Sequence, residues 1–331
     1  MSSSLVLITG ATGFIGSWVT RYALEAGHRV RLTIRRESQQ EKLAALFSKH
    51  ADKLEFAVVP DFTKPGAFDA ALQGVDQVIH LASPMPGKGN DFKTDYVDPA
   101  VKGTLIILDA AKSVPSIKRV LVTSSILALA PFGSMAPGVP LPPLIKENSG
   151  AKYTVDVDSD IADHGSKYHG SKILAHEATK EWLAANKPGF SVLTFHPVFV
   201  IGPSLIQQSA KEIDAVNGGL LQTLRTGNIV FHHPVFVDVR DVAEAMVKAV
   251  DGPASPGQEF ILHGERTTYD DVAAAAQALY PEQGFQLKAP VSGNPVVLNT
   301  ETKGAENLGI KFRPFKEVLQ AFIDQQLSFS D

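Results

Sequence analysis

Gly10-Ala11-Thr12-Gly13-Phe14-Ile15-Gly16 follows directly on the apolar run Ser4-Leu5-Val6-Leu7-Ile8-Thr9. A short apolar run of this kind reads as a strand buried on both faces. Behind the glycines, Trp18, Val19, Tyr22, Ala23 and Ala26 recur at helical spacing. The order is therefore strand, tight turn, helix. In that context glycines let the backbone approach a pyrophosphate, and the helix N-terminus offers unpaired N–H groups and partial positive charge. Gly10, Thr12, Gly13, Phe14 and Ile15 are the candidate contacts to a dinucleotide.

Outward from this loop, strand and helix patterns alternate for about two hundred residues. Strands are expected at 28–34, 54–59, 75–80, 120–122 and 191–196, with helices at 39–50, 67–72, from about 101 to 111, and at 166–185. Such alternation implies right-handed crossovers and an α/β, doubly wound parallel sheet. Residues 1–200 are expected to form the dinucleotide-binding domain. Beyond Gly202 the pattern loosens, with helices expected at 211–225, 241–250, 269–279 and 315–326 and short strands at 235–237 and 259–262. Residues 201–331 are read mainly as a smaller substrate-binding cap, with segments such as 235–250 returning to the first domain. The proline-rich stretches 131–143, 252–257 and 289–295 read as loops.

Composition narrows the function. The chain has 331 residues, 44% hydrophobic and 20% charged, which is ordinary globular usage. A net charge of -4 gives no electrostatic reason to expect nucleic acid or an anionic membrane as partner. The absence of cysteine excludes disulfides, thiolate catalysis and cysteine-ligated zinc. Ser2-Ser3-Ser4 leads into the first strand with no basic and apolar leader, so a soluble, cytoplasmic enzyme is expected.

The second expected strand ends in Arg35 and Arg36, with Lys42 one to two helical turns further on. A binder of NAD usually places a carboxylate there for the ribose 2′-OH, whereas guanidinium groups suit the 2′-phosphate of NADP. Tyr168-His169-Gly170-Ser171-Lys172 puts a phenol and an ammonium on one helical face. A free tyrosine has a pKa of ~10, and a neighbouring ammonium is expected to lower it, which suits proton transfer to a carbonyl oxygen. The fifth strand ends in Thr123-Ser124-Ser125, hydroxyls placed to hold charge developing on that oxygen.

With these pieces in order, the chain resembles the extended short-chain dehydrogenase/reductases. More narrowly it is similar to the dihydroflavonol 4-reductase branch and its fungal relatives, the NADPH-dependent methylglyoxal and isovaleraldehyde reductases. The matching residues are Gly10 to Gly16, Arg35 with Lys42, Val58-Val59-Pro60-Asp61, His80-Leu81-Ala82-Ser83-Pro84, Thr123-Ser124-Ser125, Tyr168 to Lys172, Pro197 to Pro203 and Val237-Asp238-Val239-Arg240-Asp241-Val242. The resemblance implies a Rossmann-type sheet and NADP(H). It implies Ser125 as catalytic serine, Tyr168 as proton donor and Lys172 on the nicotinamide ribose. It also implies Asp61 and Phe62 beside the adenine, Leu81, Ala82 and Ser83 along the cofactor, and Pro197, Val198, Phe199 and Val200 near the nicotinamide. The residues before Tyr168 depart from the aromatic and cysteine motif of cinnamoyl-CoA reductases, which argues against a thioester substrate.

The expected reaction is reduction of a small ketone or aldehyde. Substrate contacts are expected from the loops after Pro84 and Leu129, from Phe199 and from 216–231, with Pro131, Phe132, Met135 and Phe231 lining an apolar pocket. A nucleotide-sugar epimerase or dehydratase is a second reading, but Ser125-Ile126-Leu127 stands where dehydratases of this group carry Thr-Asp-Glu. A non-catalytic NADP sensor is a third, but the tyrosine and lysine are both kept. His232-His233 lacks a third ligand, so no metal is expected. His164, His169 and His176 read as surface or packing residues, and His80 and His196 as satisfying local hydrogen bonds.

Overall fold

The computed structural model describes residues 4–83, 89–136, 139–291 and 297–329. Ser2, Ser3, Pro84, the middle of the 131–143 loop and the end of the 289–295 loop lie outside them.

Alternate residues of β1 (Leu5–Thr9) point into opposite layers of core. Val6 and Ile8 join one cluster, and Leu5 and Leu7 the other. A strand buried on both faces has to carry apolar side chains at both parities, as the opening run does. β2 (Arg29–Ile34), β3 (Leu54–Val58), β4 (Gln77–His80), β5 (Arg119–Thr123), β6 (Ser191–Pro197) and β9 (Glu259–Leu262) complete a seven-stranded sheet in the order β3-β2-β1-β4-β5-β6-β9. Every pairing in it is parallel. The chain runs outward from β1 to β3 and then crosses to β4, so strand order reverses between β1 and β4. Ligands bind open α/β sheets in the crevice at that switch point.

Helices cover both faces. Trp18, Val19 and Ala23 of α1 (Phe14–Glu25) share one layer with Val242 and Met246 of α6 (Val239–Asp251). Ile107, Leu108 and Ala111 of α3 (Asp98–Lys112) share the other with Trp182 of α4 (His164–Asn186). α2 (Ser38–Leu46) follows β2. A third core lies under a short parallel pair, β7 (Phe199–Ile201) and β8 (Phe236–Asp238). There Leu220 and Leu224 of α5 (Ala215–Thr226) meet Val272 and Ala276 of α7 (Tyr269–Leu279) and Leu319 and Phe322 of α9 (Phe315–Ser328). A short α8 (Lys303–Asn307) precedes α9.

Three expectations are corrected. Residues 67–72 form successive turns rather than a helix, entered from Gly66 at φ +77°. Phe68 and Leu72 are still buried there. α5 starts at Ala215 because Asp214 caps it, accepting from the N–H groups of Val216 and Asn217 at 3.1 and 3.0 Å. Residues 259–262 belong to the main sheet, paired with β6, and not to the cap. His169 and His176 are buried in α4, the packing alternative of the two the sequence left open. No helix among the described residues is long and apolar enough to cross a membrane.

Candidate active site

The turn after β1 closes when Gly13 N–H donates to the Gly10 carbonyl at 3.0 Å. Gly10 sits at φ +75°, and a Cβ there would lie 2.9 Å from the Ala82 nitrogen in the segment after β4. At Gly16 a Cβ would run into the Gly10 carbonyl oxygen. These glycines bring α1 against the turn and the turn against residues 81–82. Gly13 is the N-cap of α1; no side chain caps that end and no acidic residue lies in its first turn. The N–H groups and the positive end of the helix dipole remain available to an anion. Thr12 is exposed at the tip, while Phe14 and Ile15 pack on the core. The cradle fits a dinucleotide pyrophosphate on its own geometry.

Arg35 and Arg36 lie exposed past β2, their backbone N–H groups donating to Gln39 Oε1 at 2.9 and 3.2 Å. Among the described residues neither they nor Lys42 forms an ion pair. The Arg35 guanidinium stands 5.9 Å from the centroid of the Phe62 ring. Phe62 in turn lies against Gly103, where a Cβ would come within 2.7 Å of the ring. Asp61 Oδ1 accepts from the hydroxyl and N–H of Thr63 at 2.6 and 2.9 Å, and these bonds hold its carboxyl below the usual range. Leu81 and Ala82 donate their N–H groups to Thr9 Oγ1 at 3.1 and 3.0 Å, and His80 Nδ1 lies 2.9 Å from the same oxygen. Thr9 thus fixes the segment that faces the glycine turn.

One turn apart on α4, Tyr168 and Lys172 come together. The Lys172 Nζ stands 5.2 Å from the centroid of the Tyr168 ring and donates to Ser83 Oγ at 2.9 Å. The Tyr168 hydroxyl has no hydrogen-bond partner among the described residues. Its acidity departs from expectation: burial pushes the phenol up to about 12, not down. Burial also lowers the Lys172 ammonium to about 8. The ammonium faces the ring and bonds to Ser83, so desolvation governs the phenol.

Ser125 is buried at the start of a 3-10 turn (126–129), its Oγ accepting from Leu127 N–H at 3.3 Å. α4 packs on that turn. His196 on β6 holds the serine from below, with Nδ1 3.0 Å from the Ser125 carbonyl and Nε2 3.2 Å from Thr194 Oγ1. Burial lowers His196 to about 3, so the ring is neutral and its Nδ1–H is the donor to that carbonyl. His176 meets His196 edge-on at 4.9 Å and its Nε2 lies 3.0 Å from Glu259 Oε1 on β9. His176, His196 and Glu259 each bring a potential metal-ligating atom within 4.8 Å of the others, a cluster the sequence did not reveal. Hydrogen bonds already engage both nitrogens of His196 and Nε2 of His176.

Pro197 ends β6, and Val198 N–H bonds to the Leu262 carbonyl at 3.1 Å. The next residue, Phe199, bonds through its N–H to the Val235 carbonyl at 3.2 Å and so begins the second sheet. Val198 and Val200 are buried, and the Phe199 ring lies 4.5 Å from Phe231. Of the expected pocket residues, Phe132 is exposed and 5.6 Å from the His169 ring, and Met135 packs on the main core.

A family model described as the NAD dependent epimerase/dehydratase family matches residues 6–262. The chain belongs to that family, within its extended short-chain dehydrogenase/reductase group. It is 37% identical to Ketoreductase sphI of Aspergillus fumigatus, with all of both chains covered. It is 29% identical to the putative NADPH-dependent methylglyoxal reductase GRP2 of Candida albicans, covering 98% of each. Among solved structures, yeast methylglyoxal/isovaleraldehyde reductase Gre2 complexed with NADPH superposes with a TM-score of 0.83 at 27% identity, covering 98% of each chain.

Proposed function

We propose that this protein is an NADPH-dependent carbonyl reductase that converts a small ketone or aldehyde to the alcohol. The observation that carries the reading is the meeting of Tyr168, Lys172 and Ser83 at the strand ends beside an uncapped glycine turn. Named relatives that are ketoreductases, and a similar structure with NADPH bound, support it.

In this reading Gly10, Thr12, Gly13, Phe14 and Ile15 hold the pyrophosphate and Arg35, Arg36 and Lys42 take the 2′-phosphate. Asp61 and Phe62 flank the adenine, and Leu81, Ala82 and Ser83 with Pro197, Val198, Phe199 and Val200 line the nicotinamide half. When bound, the cofactor supplies the hydride. Ser125 donates a hydrogen bond to the carbonyl oxygen, and Tyr168 gives that oxygen its proton. A phenol pushed up by burial stays protonated until charge develops on the substrate. Lys172 then offsets the negative charge left on the phenolate. Residues 1–200 supply the cofactor half and residues 201–331 mainly the substrate half. The substrate in this reading is an uncharged carbonyl compound.

The test is loss of NADPH absorbance with a panel of ketones, aldehydes and nucleotide sugars. Turnover of ketones or aldehydes is expected. Turnover of nucleotide sugars alone would replace this reading with an epimerase or dehydratase, and no turnover at all with a sensor.

A further inference from the structure

Tyr168, Lys172 and His176 stand four residues apart on α4, so the row extends one turn past the proposed machinery. Lys172 is buried, and an ammonium has three donors. Among the described residues it makes one hydrogen bond, to Ser83. His176 is 4% exposed, and its Nε2 faces the Glu259 carboxylate. In the neutral ring this bond puts the proton on Nε2 and leaves a lone pair on Nδ1. That Nδ1 is buried without a partner. A buried acceptor left unmatched is costly, and such groups in folded proteins are usually met by ordered water.

Lys172 and His176 line one small cavity. Ser83, Thr104 and Thr194 line it with them, while the Thr123 hydroxyl turns to Met246 Sδ on the other face of the sheet. About 20 Å³ is free inside, room for a single water molecule. A water there can accept from Lys172 Nζ and donate to His176 Nδ1, with hydroxyls left for its other proton.

We propose that this cavity is a water site, and that His176, backed by Glu259, is a positioning residue that holds Lys172 charged and aimed through that water. What Lys172 does rests on the reductase reading; the presence of the water does not. The titratable groups facing Lys172 are Tyr168 and His176 on its own helix and His80 on β4. His80 is buried and lies near the ammonium, and both effects lower it to about 4, so it stays neutral and adds no competing charge.

The site is tested first by a high-resolution crystal structure of the full chain. A water within hydrogen-bond reach of both Lys172 Nζ and His176 Nδ1 is expected, and a dry cavity overturns the proposal. The role is tested with His176→Asn and His176→Leu, which both lose the Glu259 bond, so equal losses of melting temperature are expected. Asn keeps an acceptor at the Nδ1 position and Leu does not. In His176→Leu the alkaline limb of the kcat–pH profile should move down by about one unit, tenfold in protonation. The carbonyl KM should stay near wild type, and His176→Asn should restore the limb. Matching limbs in the two variants, moved or unmoved, overturn the positioning role. If the wild type reduces no carbonyl, the reductase reading and the role assigned to Lys172 fall together, while the crystal structure still decides the water site.

Discussion

At Tyr168 the hydroxyl has no hydrogen-bond partner among the described residues, so in the proposed reading its contribution is made in the reaction rather than in the resting protein. Tyr168→Phe should therefore leave NADPH affinity nearly intact and reduce turnover by ~10²–10⁴-fold, as loss of a proton donor typically does. Steady-state kinetics with a separate NADPH titration checks it. At Arg35 the guanidinium is exposed and forms no ion pair among the described residues, open to a phosphate fork-on. Arg35→Ala should weaken NADPH binding much more than NADH binding, read by parallel titrations; equal weakening would remove the 2′-phosphate assignment. Arg35 could be placed from its distance past the glycine turn, since a strand end has one position along the crevice. The direction of the Tyr168 shift could not, because spacing shows the lysine nearby but not the desolvation that outweighs it.

Among the elements, β9 is held by a device distant in sequence. Glu147 accepts from Ile261 N–H on β9 and from Gly304 N–H in α8, both at 2.8 Å. Burial raises this carboxyl to about 7. A carboxyl raised in the fold favours folding while it is protonated, so its contribution is complete below the ordinary glutamate range and is lost as pH rises through about 7. The melting-temperature advantage of wild type over Glu147→Gln should thus shrink between about pH 5 and about pH 8. Gly16→Ala is expected to cost about 1–3 kcal/mol, because backbone rather than a flexible side chain must give way, and to abolish NADPH binding. Denaturant unfolding and the same cofactor titration report the two effects. Gly16 was legible in the sequence, since strand, glycines and helix are contiguous. Glu147 and Glu259 were not, because their partners lie tens of residues away. The turns at 67–72 were misjudged because Phe68 and Leu72 keep helical spacing and are buried as the inner face of a helix would be.

Across the whole molecule, the chain leaves the main sheet after β6, builds β7 and β8, and returns through α6 and β9. α6 lies along α1, and Trp18 Nε1 donates to the Pro203 carbonyl at 2.7 Å. A fragment ending at residue 200 would strip α6 from one face and β9 from the sheet edge. It should fail to unfold cooperatively and should bind a hydrophobic dye, which near-ultraviolet dichroism and dye fluorescence would show. The alternation of strand and helix made the first six strands of the sheet readable, whereas β9 is four residues long and follows a proline-rich loop, so nothing local marks its place. The Trp18 tether has a practical consequence. Only two tryptophans exist in the chain, and the other, Trp182, bonds to Asp109 between α4 and α3 at 2.7 Å. Replacing Trp182 with Phe would leave a single indole emitter just behind the glycine turn, so that nucleotide arrival could be followed by light alone, with no substrate in the cuvette.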